Sequence, residues 1–179
     1  MNNQQTVELS SEVQTGAATR ATFERSIVID VPIGSIGDVL GDPVRYPLLF
    51  PGTQSVKTDG VFPEVGGNVN LTYKAGGMSF QVDLTVVEND PHHRVIKTQI
   101  RDVQCFTNAV LEGQNSWLWE PEGHSTRLTV RYEHEVPRST YAKQLECDVI
   151  RRLNAANVER SLNNIKQLLE ANRMYVRSM

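Results

Sequence analysis

Apolar and polar side chains alternate with a period of two from residue 53 to residue 136, then give way to a helical period near the C-terminus. Met78, Phe80, Val82, Leu84 and Val86 fall on one parity, and Ser79, Gln81, Asp83 and Thr85 on the other. Leu128, Val130, Tyr132, His134 and Val136 repeat the pattern against Arg127, Thr129, Arg131, Glu133 and Glu135. Asp59-Gly60, Gly66-Gly67, Gly76-Gly77, Asp90-Pro91 and Glu122-Gly123 separate such runs. The block therefore predicts an antiparallel meander of about six strands with one buried and one wet face.

A further strand is predicted at 22–31, with Phe23, Ile27, Ile29 and Val31 on one face and Glu24, Ser26 and Asp30 on the other; Arg25 interrupts the pattern. Pro32 ends it, a short helix follows at 35–40, and Asp42-Pro43 opens a second, with Asp as the cap and Pro at the first helical position. Pro47 and Pro51-Gly52 keep that helix short and leave Tyr46, Leu48, Leu49 and Phe50 as an apolar knuckle.

Residues 139–170 predict one long helix. Val158, Leu162, Ile165 and Leu169 form a stripe at the spacing of a helix lying on a core. At about 100° per residue, Tyr141, Leu145, Val149, Leu153 and Ala156 form a second stripe on roughly the opposite side. A sheet that is apolar on one face needs a cover, and the helices supply the other apolar surfaces. The expected fold is α+β: an antiparallel sheet of about seven strands, two short helices after the first strand, and a long C-terminal helix.

With 179 residues, 39% of them hydrophobic, the chain fits one domain, expected at 21–172. Residues 1–20 are rich in Asn, Gln, Ser, Thr and Gly and are expected as a flexible N-terminal tail, with a C-terminal tail at 173–179. The 18 basic and 21 acidic side chains give a net charge of −3 without a basic cluster, so no nucleic-acid partner is expected. Cys105 and Cys147 stand far apart with no C-x-x-C motif, which points to a reducing compartment. The N-terminus has no signal-peptide pattern, and no apolar run approaches the roughly 18 residues that span a bilayer. A cytoplasmic location is expected.

This order of elements resembles the polyketide cyclase/dehydrase-like branch of the START-like, helix-grip (SRPBCC) superfamily over about 22–170. The resemblance rests on Glu24-Arg25-Ser26-Ile27-Val28-Ile29-Asp30-Val31-Pro32, on Asp42-Pro43-Val44-Arg45-Tyr46-Pro47 and on Glu159-Arg160-Ser161-Leu162-Asn163-Asn164-Ile165-Lys166. The first two segments look most like coenzyme-Q-binding and general cyclase/dehydrase-like members. Trp117-Leu118-Trp119-Glu120-Pro121, followed by Ser125-Thr126-Arg127-Leu128, looks like the aromatase/cyclases of aromatic polyketide synthesis. The resemblance implies a curved sheet gripping the C-terminal helix, with an elongated apolar cavity between them for a lipid, quinone, polyketide or plant hormone. One departure stands out. The aromatase/cyclases carry pocket arginines on two middle strands, and the matching positions are Val87 and Ile100. Arg101 is one residue away, turned outward by alternation unless a one-residue bulge restores it.

The four histidines lack metal-ligand spacing: His92 and His93 are adjacent, while His124 and His134 stand alone. No metal and no cofactor are expected. His134 shares a parity with Tyr132, where it is either a general base and hydrogen-bond anchor or a satisfied wall residue. Tyr73, Phe80, Phe106, Trp117, Trp119 and Tyr132 are the aromatic candidates for lining a flat or polyprenyl ligand, and any core would use such rings too. The Gly-Gly pairs lack the sequel of a phosphate loop, and no Ser-His-Asp or Cys-His set can be assembled from spacing.

In a straight helix the inward stripe continues backwards through Gln144, Cys147, Arg151 and Asn154, which would then roof the cavity and leave Tyr141, Leu145 and Val149 outside as a homodimer surface. A kink near residues 154–157 would instead turn both apolar stripes inward. The expected function is binding of a hydrophobic small molecule of polyketide, quinone or lipid class. The alternatives are a cofactor-independent polyketide aromatase/cyclase or dehydratase using His134, Tyr132 or Arg151, and a ligand-presenting interaction module.

Overall fold

The β-strands follow the predicted faces closely. They are β1 (Val13–Thr15), β2 (Ala18–Ile29), β3 (Thr53–Thr58), β4 (Asn68–Ala75), β5 (Met78–Asp90), β6 (Val95–Asp102), β7 (Glu112–Glu122) and β8 (Ser125–Glu135). The structure, a computed structural model, describes residues 13–15, 18–75, 78–90, 95–102, 112–136 and 151–177. Among them the eight strands form one antiparallel sheet in the order β1-β2-β8-β7-β6-β5-β4-β3. That is one strand more than the expected seven or so. The extra one is β1, which pairs Val13 with Arg20 and Thr15 with Ala18 inside the stretch expected as a tail. Backbone pairing to the edge of β2 holds it there, a contribution that leaves no burial pattern in the sequence.

Two short helices follow β2, α1 (Gly34–Leu40) and α2 (Tyr46–Leu49), joined through a 3-10 turn at Pro43–Arg45. Asp42 caps that turn as its sequence implied, accepting from the Val44 amide at 3.1 Å and from Arg45 Nε at 2.8 Å. The Tyr46 hydroxyl reaches back to the Leu40 carbonyl at 2.9 Å and ties the two helices together. Burial, reinforced by the nearby Asp42 charge, pushes the Tyr46 pKa well up, so the hydroxyl stays a donor.

The long helix α3 (Arg151–Arg177) is continuous through residues 154–157 and runs past Glu170 into the region expected as a C-terminal tail. Residues 139–150, the expected first part of the helix, lie outside the described residues. Leu162, Ile165 and Leu169 are buried on the sheet, with Val158 packed beside them, as the stripe predicted. They share one core with Ile29 of β2, Ile36 and Val39 of α1, Leu49 of α2, Val69 of β4, Ile96 of β6, Trp117 and Trp119 of β7 and Leu128 and Val130 of β8. Burying this contiguous apolar face is the main force that closes the fold.

Polar side chains of α3 then fix the helix along the sheet. Lys166 Nζ donates to the Val28 carbonyl at 2.7 Å, the Asp30 amide donates to Glu170 at 3.0 Å, and Asn164 Nδ2 donates to the Leu49 carbonyl at 3.2 Å. The first two contacts satisfy backbone groups at and just past the end of β2, beyond the reach of β1. Both numberings rise together, so α3 runs in the same direction as β2.

Candidate functional site

Alternation along paired strands sorts the inner, helix-facing side of the sheet into cross-strand rows. One row reads Ile27, Leu128 and Trp119; the next reads Arg25, Val130, Trp117 and Ile96. The third reads Phe23, Tyr132, Asn115, Thr98 and Val86, and the fourth Ala21, His134, Gly113, Ile100 and Leu84. The first two rows belong mostly to the sealed core. Trp119 lies under α1, where a Cβ added to Gly37 would sit 3.5 Å from its ring, and Trp117 packs on Phe50 with ring centroids 5.8 Å apart.

The character changes at the third row. Phe23 and Tyr132 stack at 5.2 Å, and Tyr132 lies 5.3 Å from the His134 ring. His134 is only 3% exposed and Thr98 only 5%. Asn115 stands directly between Tyr132 and Thr98 in register. The side-chain oxygens Thr98 Oγ1 and Asn115 Oδ1 are buried, face the same side of the sheet on neighbouring strands, and have no hydrogen-bond partner among the described residues. Buried polar atoms are normally paired, because desolvating an unpaired one costs on the order of 1–3 kcal/mol. Two side by side mark a place where polarity is kept that the described residues do not use.

Of the residues expected from the sequence, the structure brings His134 and Tyr132 together at this end of the inner face. Arg151 and Asn154 lie in the first described turn of α3. Arg151 precedes Lys166 by 15 residues, about 22 Å of helix at 1.5 Å each. A strand covers that length in about seven residues, so Arg151 is level with Ala21 and its partner His134. Tyr73, half-buried, stands opposite Phe80 in the β4–β5 register, beyond the His134 row and on the far strands of the sheet. Trp117 and Trp119 sit instead in the core rows. Phe106, Gln144, Cys147 and the Tyr141, Leu145, Val149 stripe lie outside the described residues.

Sequence reading missed Thr98 and Asn115. The signal was a parity: Asn115 falls in step with Trp117 and Trp119, and Thr98 in step with Ile96. Arg25, which interrupted the β2 pattern, takes an inward position between Phe23 and Ile27 opposite Val130, and its guanidinium bends back to the Glu24 carbonyl at 2.8 Å. The bulge that would have turned Arg101 inward is absent from β6. The register shift lies on β5, between Val86 and Glu88, and Arg101 pairs with Asp83 and Glu112 in a row that alternates away from Ile100. Val87, the bulged residue, is 41% exposed.

A pocket of about 270 Å³ opens beside this end of the sheet, lined by Arg20, Val87, Gly113, Gln114, Glu133, His134 and Glu135. It is slightly smaller than the roughly 300 Å³ at which small-molecule sites begin. Its walls mix both faces, with His134 from the inner row and Glu133 and Glu135 from the outer ones. Among the described residues no group of three His, Cys, Asp or Glu side chains is arranged to hold a metal ion, and no helix is long and apolar enough to cross a membrane.

One antiparallel sheet laid against a long C-terminal helix, with two short helices closing one end, defines a helix-grip protein. The model of the family described as polyketide cyclase / dehydrase and lipid transport matches residues 20–170, and the chain belongs to that family. Among solved structures, the Zhui aromatase/cyclase from Streptomyces sp. R1128 is similar with a TM-score of 0.68 at 17% identity, over 84% of this chain and 94% of that one. A norcoclaurine synthase from Thalictrum flavum, a point mutant with a transition-state analogue, gives 0.69 at 14% identity over 89% and 99%. A major latex-like protein from Panax ginseng gives 0.65 at 12% identity over 84% and 97%. No curated protein sequence matches the chain. At these identities the likeness is one of fold.

Proposed function

We propose that the chain binds a hydrophobic small molecule, of polyketide, quinone or lipid class, between the inner face of β6, β7 and β8 and the N-terminal part of α3. The observation that carries this reading is the polarity that the described residues leave unused at Thr98 and Asn115, in the row of Phe23, Tyr132 and Val86. Apolar burial supplies the affinity of such a site, and a few polar atoms set the ligand's orientation. Membership of a family described by cyclases and lipid transport supports the same reading. The test is gentle purification followed by solvent extraction and mass spectrometry. A retained apolar compound, lost when Asn115 and Thr98 are both replaced by the much larger Trp, supports it; an empty protein that also ignores a panel of polycyclic and polyprenyl compounds rejects it.

A second reading, a cofactor-independent cyclase or dehydratase, draws on the Tyr132–His134 pair. A buried imidazole 5.3 Å from a phenol ring is suited to move a proton at a ligand held against both, with water excluded. The aromatase/cyclase among the similar structures supports this reading. Turnover of a poly-β-keto chain, abolished in His134→Ala with binding retained, would establish it; binding without turnover leaves the binder.

A further inference from the structure

We infer that the ligand presents a hydroxyl group to Asn115 and Thr98, and that this pair is the determinant that selects hydroxylated ligands over plain hydrocarbons. The inference rests on the binding reading above and narrows it. Asn115 Oδ1 can only accept a hydrogen bond, so its partner must bring a donor. Thr98 Oγ1 can donate or accept. Their residues are directly paired across β6 and β7, where side chains of one face stand about 4.5–5.5 Å apart at Cβ, close enough for one small group to touch both.

A hydroxyl meets both demands at once, donating to Asn115 Oδ1 and accepting from the Thr98 hydroxyl. An ammonium could donate to both, but it would carry a full charge into a row whose other members are Phe23, Tyr132 and Val86, none of them a carboxylate. A hydrocarbon leaves both oxygens as they are. The rings of Phe23 and Tyr132 on the same row favour a flat body behind that hydroxyl, as in a phenol or a fused-ring alcohol.

The test compares 1-naphthol with 1-methylnaphthalene, nearly equal in shape, by equilibrium dialysis against the full chain. Naphthol should bind about tenfold more tightly, the discrimination expected from one buried, otherwise unpaired acceptor. In Asn115→Leu and in Thr98→Val that ratio should fall to about one or reverse, with methylnaphthalene binding retained. Thr98→Val should also melt at a higher temperature than the parent without ligand, because it removes an orphaned buried oxygen at constant shape. Equal binding of the two compounds to the parent overturns the hydroxyl inference and leaves the binding site standing. A lower melting temperature for Thr98→Val overturns it as well, since the oxygen then has a structural partner. Failure of both compounds to bind rejects the site itself, and the inference with it.

Discussion

The Lys166 ammonium hydrogen-bonds the Val28 carbonyl at 2.7 Å, joining residues 138 positions apart across the boundary between the last helix and the free edge of β2. Four residues on, Glu170 accepts from the Asp30 amide, and the two side chains lie 3.6 Å apart. Helix and edge strand are thus locked in one register. Replacing Lys166 by Met keeps the apolar stem but leaves the carbonyl to water, so a loss of about 1 kcal/mol is expected. Urea unfolding should show the midpoint shift with an unchanged slope, and an unchanged midpoint would mean the contact contributes nothing.

Tyr46 makes a prediction at the opposite end of the pH scale. Its hydroxyl is buried and donates to the Leu40 carbonyl, and burial raises its pKa in the folded protein above the ordinary value of about 10. The folded state therefore holds this proton more tightly than the unfolded chain. The stabilisation is complete below pH 10 and is lost as pH rises from there toward the folded-state value. Tyr46→Phe should cost about 1–2 kcal/mol at neutral pH, by leaving the carbonyl unpaired, and should flatten the fall in melting temperature above pH 10. A parallel alkaline decline in parent and variant would contradict it.

How much of this was written in the sequence differs from feature to feature. Inward faces of β5 and β8 were legible because period two follows from backbone geometry, and the Val158 to Leu169 stripe because period 3.6 does. The Asp42 cap was legible because its chemistry is local. Strand β1 was not, since three residues held by backbone pairing are too few to set a period in the sequence. Arg25 was visible as an interruption, but its answer, a carbonyl on the open edge of its own strand, depends on which strands lack a neighbour. Asn115 shows the limit best. Its parity was plain, yet what makes it a candidate is the missing partner, and that depends on register across three strands.

Asp59 organises the turn between β3 and β4. Its carboxylate accepts from the Val61 amide at 2.9 Å, more weakly from that of Phe62, and from both the amide and the side chain of Asn68 at 2.9 and 3.0 Å. The Val61 amide leads these contacts in holding the carboxyl below the usual carboxylate range, with the Asn68 side chain next. Because the folded value is the lower one, the turn's contribution is present above about pH 4 and fades as pH falls through the depressed value. Amide exchange at Val61 and Asn68 should therefore accelerate in strong acid, and Asp59→Ala should show that faster exchange already at pH 6. Equal exchange in the two proteins at pH 6 would rule out the carboxylate as the organiser.

Gly113 shares the His134 row and leaves no room for a side chain. A Cβ added there would lie 2.7 Å from the Glu133 carbonyl oxygen and 3.3 Å from His134 Cβ. The first contact is with backbone, so Gly113→Ala must push β7 away from β8 or shift His134, at a cost of about 1–3 kcal/mol. The same residue lines the 270 Å³ pocket, which a displaced His134 would partly fill. The two consequences separate by measurement. Thermal melts should show the destabilisation, while dialysis at a temperature where the variant is fully folded should show weakened binding of 1-naphthol. Histidine C–H resonances should report the ring's movement directly. A variant that melts lower yet keeps its affinity and its His134 resonance would place the glycine's role in strand packing alone and detach this pocket from the binding face.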